Sequence, residues 1–447
     1  MSNEYSKNIQ EILKENNIKI GDKVRVMKNG MELNGILMPR VEGDNSILII
    51  KLDNGYNIGI RYEEGIKIEK IEEKVVMTEK KTFAYKEDES KPTILILHTG
   101  GTIASKVDYR TGAVEASFEP EELVEIFSGI DEIANIKSKL IRKMFSEDMR
   151  FEHHQLIARE IAKECEKFDG IIVTHGTDTL HYTSASLSFM LENLPIPVIL
   201  VGSQRSSDRP SADSVMNVIC AAKFIAKTDF AGVAICMHGT INDDYCLIHH
   251  PCKVRKMHTS RRDAFQPVNA KPYAKVWFKE DRIEFLRNDY MKKDKNRKVI
   301  LRDKMEEKVG LVKFYPGFDE KILEFFEKND YKGLILEGYG LGQIPINEID
   351  EFTIHNKKNF EILKRLSEKG CVIVACSQTI FGRVNLNVYS TGRDMKSIGI
   401  IEGEDMHPEV ALMKLRWLLG NFSVEEARIL MKQNLRGEIT ERSIDLS

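Results

Sequence analysis

Two short stretches of this sequence place hydroxyls beside glycines where chemistry could be done. The first is His98-Thr99-Gly100-Gly101-Thr102-Ile103-Ala104, reached through the apolar run TILIL. The second is Thr174-His175-Gly176-Thr177-Asp178-Thr179, reached through GIIV. Glycine lets a backbone turn sharply and present its N–H groups. Each stretch could therefore hold a threonine hydroxyl beside amide donors. Such a hydroxyl attacks an acyl carbon if a base takes its proton and donors receive the developing oxyanion. Asp178 cannot easily act on its own neighbour Thr177, but it can orient or charge-balance a lysine. A lysine desolvated in a closed site can accept the proton, and spacing does not choose among the many lysines. Taken singly, each stretch has a plainer reading. The first could be only a tight turn, and Thr177 and Asp178 could cap the following helix. Neither GxGxxG nor GxxxxGK[ST] occurs in the first stretch, which weakens a nucleotide loop. Two Gly-plus-Thr strand ends in one sheet favour a shared, hydroxyl-lined pocket.

The elements that must position these residues follow from periodicity. From Thr93 onward, continuous apolar runs (TILIL, GIIVT, PVILVGS, GVAICM) alternate with helical patterns such as FEHHQLIAREIAKECEKF and SADSVMNVICAAKFIAK. That alternation predicts an α/β fold with a doubly wound, mainly parallel sheet covered on both faces. In such a sheet, ligands bind where the strands end. A charged stretch around Lys292 to Lys304 interrupts the pattern. A second, smaller α/β run follows, with VGLVKFY, GLILEGYG, CVIVACS and a helical pair. Before the first α/β run, KVRVMKN, MELNGILMPR, SILIIKL and YNIGIRY read as short strands separated by Asn-Gly and Gly-Asp-Asn turns, which suggests a small β-barrel. The expected divisions are residues 1–78 for an N-terminal helix and barrel, 79–92 for a linker, and 93–291 for the large domain. Residues 292–306 form a second linker, and 307–447 the smaller domain with its terminal helices.

The chain has 447 residues and a formal net charge of −3. A surface that grips nucleic acid throughout would be basic, so any RNA contact is expected to be local or made by a partner. Seven cysteines without a CxxC pair fit reduced thiols rather than a disulfide framework. No apolar run approaches the ~20 residues that span a bilayer, and the polar N-terminus does not read as a secretory signal. A cytoplasmic protein with no membrane partner is expected.

Together the two stretches resemble the signatures of the asparaginase and glutaminase amidohydrolases: TGGTIA at Thr99 to Ala104, and THGTDT at Thr174 to Thr179. The resemblance runs from about Thr93 to Leu419. It implies a large α/β domain followed by a smaller one, and a reaction in which a threonine forms an acyl-enzyme as ammonia leaves a side-chain amide. Thr102 matches the family's nucleophile, and Tyr109 the tyrosine that closes over the substrate. Thr177, Asp178 and Lys256 match its proton-transfer set. Ser146 matches the serine that holds the substrate's α-carboxylate, with Gly101 and Gly176 in the turns that surround substrate. Glu147 stands where the family carries Gln or Asn. No metal is implied.

About ninety residues precede the first signature. This extension, with GDKVRV and the Asn-Gly turns, resembles that of the D subunits of archaeal-type glutamyl-tRNA(Gln) amidotransferases. The resemblance implies a glutaminase feeding ammonia to an E-type partner subunit, which uses ATP with Mg to convert Glu-tRNA(Gln) to Gln-tRNA(Gln). It implies a homodimeric core within a heterodimer or dimer of heterodimers, tRNA contact mainly through the partner, and no cofactor on this chain. A stand-alone asparaginase or a silent scaffold subunit are the alternatives. The retention of Thr102, Tyr109, Thr177, Asp178 and Lys256 together argues against the scaffold. The N-terminal barrel could serve as an RNA-binding module, a partner surface or a lid.

Other features read as structural. His153-His154 are expected on the polar side of a helix. Cys246, His249, His250 and Cys252 lack a metal-binding frame and are expected to pack near the active-site entrance. Gly338 to Gly342 reads as a strand-end turn of the smaller domain. SVEEARILMKQNLRGEITERS reads as a final amphipathic helix.

Overall fold

The structure is a computed structural model. It describes residues 5–39, 44–52, 57–71, 87–100, 103, 105–107, 114–116, 127, 129–205 and 212–442. Gly101, Thr102 and Tyr109 lie outside the described residues.

The N-terminal region is helix α1 (Lys7–Glu15) on a five-stranded antiparallel sheet: β1 (Lys23–Lys28), β2 (Met31–Leu37), β3 (Ile47–Leu52), β4 (Asn57–Arg61) and β5 (Lys67–Lys70). Strand order is β4-β3-β2-β1-β5. Ile9 and Leu13 of the helix pack with Val24, Val26, Leu37, Leu48, Ile50 and Ile68 in a core of their own. The expected short strands are present, but among the described residues β4 and β5 do not pair. The sheet is therefore not the closed barrel that was expected.

The large sheet contains five parallel strands: β6 (Thr93–Gly100), β7 (Asn135–Met144), β8 (Gly170–Thr174), β9 (Pro197–Val201) and β10 (Phe230–His238). It continues antiparallel through β11 (Tyr245–His249). Apart from this sheet, β12 (Val254–Lys256) pairs with β13 (Phe265–Pro267) in a two-stranded ribbon. The large sheet resumes with β14 (Ala274–Trp277) and β15 (Ile283–Phe285), again antiparallel. Its order along the main path is β15-β14-β11-β10-β9-β8-β6-β7. The sheet is thus mixed, and the antiparallel flank is its departure from the expected mainly parallel form.

Successive residues of a strand face opposite sides, and two separate cores result. Leu95, Leu97, Ile171, Val173, Val198 and Leu200 enter one, with helices α2 (Phe151–Glu164) and α3 (Leu180–Met190). Ile94, Ile96, Ile172, Ile199 and Val201 enter the other, with α4 (Ser214–Lys227). Each such side chain, when fully buried, contributes about 1.5–3 kcal/mol.

The smaller domain is a parallel sheet of β16 (Val309–Lys313), β17 (Gly333–Gly338), β18 (Val372–Ser377) and β19 (Ile401–Glu402). Helices α5 (Lys321–Lys328) and α6 (Ile354–Glu368) pack with one face. Helix α7 (Ser390–Ser397) places Met395 in the same core. On the other face, Ile335, Val372 and Val374 share the core of the large domain through Val410, Ala411, Leu415 and Leu418 of α8 (Pro408–Asn421). The two α/β units are therefore joined by one continuous apolar core.

The final helix is shorter than its sequence pattern suggests. Helix α9 (Val424–Met431) opens with a capping box in which Ser423 and Glu426 satisfy each other's backbone N–H. Beyond it, residues 434–440 run as a non-helical strap. Glu438, fully buried, accepts from Leu435 N and Arg436 N and pairs with buried Lys414 at 2.6 Å. These bonds satisfy the backbone without helix, which the apolar spacing of the sequence could not foretell.

Among the described residues no helix is long and apolar enough to cross a membrane.

Candidate active site

The second signature occupies the turn between β8 and α3. Strand β8 ends at Thr174, and Thr179 is the N-cap of α3 with no side-chain capping bond. Thr177 and Asp178 therefore do not serve as caps. Their side chains face Lys256, whose Nζ lies 2.9 Å from Thr177 Oγ1 and 2.8 Å from Asp178 Oδ1. Lys256 ends β12, far along the chain from the turn. The fold thus selects one lysine where spacing alone could not. Thr177 is buried, whereas the Asp178 side chain is 60% exposed. The carboxylate is therefore open to a ligand as well as to the lysine.

Ser146 closes the other side of the turn. It opens a single 3-10 turn (Ser146–Asp148) two residues after β7 ends at Met144. The serine is buried, and its Oγ accepts from Asp178 N at 3.2 Å. The Thr179 hydroxyl donates to the Ser146 carbonyl at 2.7 Å. Gly176 makes this approach possible, because a Cβ there would stand 2.6 Å from Ser146 Oγ and 2.7 Å from its Cβ. Glu147 follows on the exposed surface of the turn. Strand β6 leaves the sheet at Gly100, with φ +115° and a missing Cβ that would lie 2.2 Å from Met144 O. Only glycine fits that contact. The start of the first signature thus runs alongside the end of β7, just before Ser146.

Behind the turn lies a buried polar row that the sequence did not disclose. Thr99 Oγ1 donates to Thr174 O at 2.9 Å, and His98 Nδ1 lies 3.0 Å from Thr174 Oγ1. His175 Nδ1 is 2.6 Å from Gly176 O, so it carries the proton and donates. Its Nε2 must then accept from Thr183 Oγ1 at 2.9 Å. With its proton so committed, the Thr183 oxygen accepts from His154 Nε2 at 3.1 Å. Burial holds all three rings neutral: it pushes His98 and His175 down to about 4, and His154 to about 3. His154, expected on the polar side of its helix, is turned inward by this contact and is buried. His153 instead caps the helix start, accepting from Arg150 N at 3.0 Å.

Cys246, His249, His250 and Cys252 are all buried. They pack inward rather than at the site's entrance. Cys252 Sγ is 3.2 Å from Ser188 Oγ, and His250 lies beside Tyr273 and Gly437. Among the described residues no cluster of three His, Cys, Asp or Glu side chains is arranged to hold a metal ion. Gly338 ends β17, and Tyr339 bridges to Gln343 across the expected strand-end turn.

A threonine hydroxyl, a lysine amine and a carboxylate gathered at the strand ends of a mixed α/β sheet, beside a buried serine, define an amidohydrolase of the asparaginase type. Comparison with known proteins agrees. Residues 93–291 match the model for the asparaginase N-terminal domain, residues 308–431 the glutaminase/asparaginase C-terminal domain, and residues 18–71 the GatD N-terminal domain. The thermostable L-asparaginase from Thermococcus kodakarensis superposes with a TM-score of 0.69 and 30% identity, covering 78% of this chain and 99% of that one. L-asparaginase I from Vibrio cholerae gives 0.66 at 30% identity over the same shares. Over nearly its full length the chain is 48% identical to the D subunit of glutamyl-tRNA(Gln) amidotransferase from Pyrococcus furiosus, across 97% of each. It is 45% identical to the D subunit from Archaeoglobus fulgidus, across 94% of this chain and 95% of the other. The chain belongs to the family of glutamyl-tRNA(Gln) amidotransferase D subunits.

Proposed function

We propose that the chain hydrolyses glutamine and supplies ammonia for converting Glu-tRNA(Gln) to Gln-tRNA(Gln) in the cytoplasm. The observation that carries this reading is the meeting of Lys256 with Thr177 and Asp178, 2.9 and 2.8 Å apart, at a turn sealed by Ser146. Lys256 holds and moves the proton, and Asp178 balances its charge. Thr102 attacks the side-chain amide with Tyr109 closing over it. Ammonia leaves, and water then hydrolyses the acyl-threonine. Backbone N–H groups of the first signature's glycine turn and of Thr177 receive the oxyanion. Ser146 holds the α-carboxylate, while exposed Glu147 and Asp178 favour the ammonium of a free amino acid.

The similarity to the D subunits extends the reading to an assembly. An E-type subunit is the partner and uses ATP with Mg, this chain pairs in a homodimeric core, and charged tRNA is held mainly by the partner. The domain bounds given by the sequence, at residues 78, 93, 291 and 307, are part of the same proposal.

Ammonia release from glutamine and from asparagine tests it, with the chain alone and then with an E-type subunit and Glu-tRNA(Gln). The proposal expects glutamine turnover to rise sharply with partner and charged tRNA. Brisk turnover of asparagine by the chain alone, indifferent to both additions, would instead establish a stand-alone asparaginase.

A further inference from the structure

The proton-transfer lysine sits on a short ribbon outside both main sheets. Strand β12, which carries Lys256, belongs to neither main sheet, and among the described residues it pairs only with β13. A two-stranded ribbon of this length is marginal by itself. Two basic side chains just ahead of Lys256, on either side of buried Val254, are held by residues of the smaller domain. Lys253 Nζ meets Asp405 Oδ2 at 2.8 Å, with both side chains essentially unexposed. Arg255 Nε meets Glu409 Oε1 at 2.7 Å.

Glu409 lies in the first turn of α8, where the helix dipole favours a carboxylate. It also meets Nδ1 of the buried N-cap His407 at 2.9 Å. Burial alone would raise its pKa, but His407 and Arg255 hold it well below the usual carboxylate range. The group is a fixed anion against the exposed side of the clasp, since Arg255 is 32% exposed and Glu409 only 8%.

We propose that Glu409 is a positioning residue for Lys256, forming with Arg255 the clasp by which the smaller domain holds β12 and aims the lysine amine at Thr177. This rests on the assignment of Lys256 as the proton carrier. Asp405 anchors Lys253, and it is itself tied to the C-terminal strap through Thr440 N at 3.0 Å. Closure of the smaller domain and the strap on the large domain thereby sets the geometry of the base.

The clasp has an electrostatic signature that packing alone lacks. The charged and titratable groups around Lys256 are Asp178 from the β8–α3 turn, His181 and Tyr182 from α3, and Arg255 on its own strand. His407 and Glu409 stand at the entry of α8, and with Arg255 and Lys256 they act electrostatically on His181. Within this set Arg255 and Glu409 neutralise each other. Glu409→Gln leaves the guanidinium unbalanced, favours the neutral amine and moves the rising limb of the pH–kcat profile to lower pH. Arg255→Gln leaves the carboxylate unbalanced and moves that limb to higher pH.

The test is glutamine hydrolysis across pH by the full chain with an E-type subunit and Glu-tRNA(Gln), for wild type, Glu409→Gln, Arg255→Gln and Lys256→Met. The clasp predicts kcat reduced ~10-fold or more in both clasp variants with KM within about two-fold, and limbs displaced in opposite directions. Limbs coincident with wild type in both variants, or KM rising with kcat unchanged, would overturn it. The Arg255 variant alters a partly exposed side chain and so provides a folded comparison if Glu409→Gln does not fold. Undiminished turnover by Lys256→Met would refute the assignment of the base itself, a different outcome from the failure of the clasp.

Discussion

Replacing Gly176 by alanine isolates the contact on which the candidate site is built. The added Cβ would lie 2.6 Å from Ser146 Oγ, 2.7 Å from Ser146 Cβ and 3.2 Å from Ser146 N. Carbon atoms rest at ~3.5–4 Å, so Ser146 or the turn must retreat by roughly 1 Å. Neither side yields cheaply. Ser146 is buried and bonded through both its hydroxyl and its carbonyl, and the turn is tied to Lys256 through Thr177 and Asp178. Overpacking of this kind costs ~1–3 kcal/mol of stability, and a displacement of that size at reacting groups costs ~100-fold in rate. Steady-state ammonia release with glutamine gives kcat/KM, and urea unfolding gives stability. A Gly176→Ala variant with unaltered kcat/KM and unaltered unfolding would refute the placement of Ser146 against the turn.

Three further outcomes follow from the same geometry. Glu438→Gln leaves the fully buried Lys414 without its counter-charge, and should cost ~3–5 kcal/mol by chemical denaturation. A loss below ~1 kcal/mol would show that the strap is not held by this pair. His98, His154 and His175 have folded values lowered from 6.5 to about 4, 3 and 4. Their stabilisation is complete above pH 6.5 and lost as pH falls below it, at about 1 kcal/mol per pH unit for each ring. Unfolding free energies measured between pH 7 and 5 should decline accordingly, and a flat profile would contradict the buried neutral row. Arg365 first, then Lys369, hold Glu327 down to about 2 from 4.5, against the opposing effect of burial. This clamp between α5 and α6 is present above pH 4.5 and lost as pH falls towards 2. Glu327→Gln should therefore lower neutral-pH stability by ~1 kcal/mol, discounted for the exposed Arg365 side chain, and flatten that acid slope.

Much of the fold and site could be read from the chain because the relevant signals are local. The apolar runs TILIL and GIIVT are buried parallel strands, and their ends at Gly100 and Thr174 lie at the same end of one sheet. The lysine was a different matter. Periodicity offered no reason to prefer Lys256 over its neighbours Lys253 and Lys271, and only resemblance singled it out. The reason is physical: its partners are 79 and 78 residues away, a contact made by chain topology and not by any local pattern. The antiparallel flank β11, β14 and β15 escaped notice because its strands are short and interrupted by the β12–β13 ribbon. Helix position marks His154 as polar because it does not register Thr183 across the core. The strap after α9 kept an amphipathic spacing while Gly437, with φ +84°, and the buried Glu438 folded it otherwise.

In the proposed mechanism a threonine of the first signature forms the acyl-enzyme, with Lys256, Thr177 and Asp178 as its proton relay. Rapid acid quenching during glutamine turnover, followed by peptide mass spectrometry, tests it directly. The expected result is a glutamyl adduct on the peptide that carries Thr102, absent from Lys256→Met. An adduct on the peptide that carries Thr177, or steady ammonia release with no adduct on either, would contradict it.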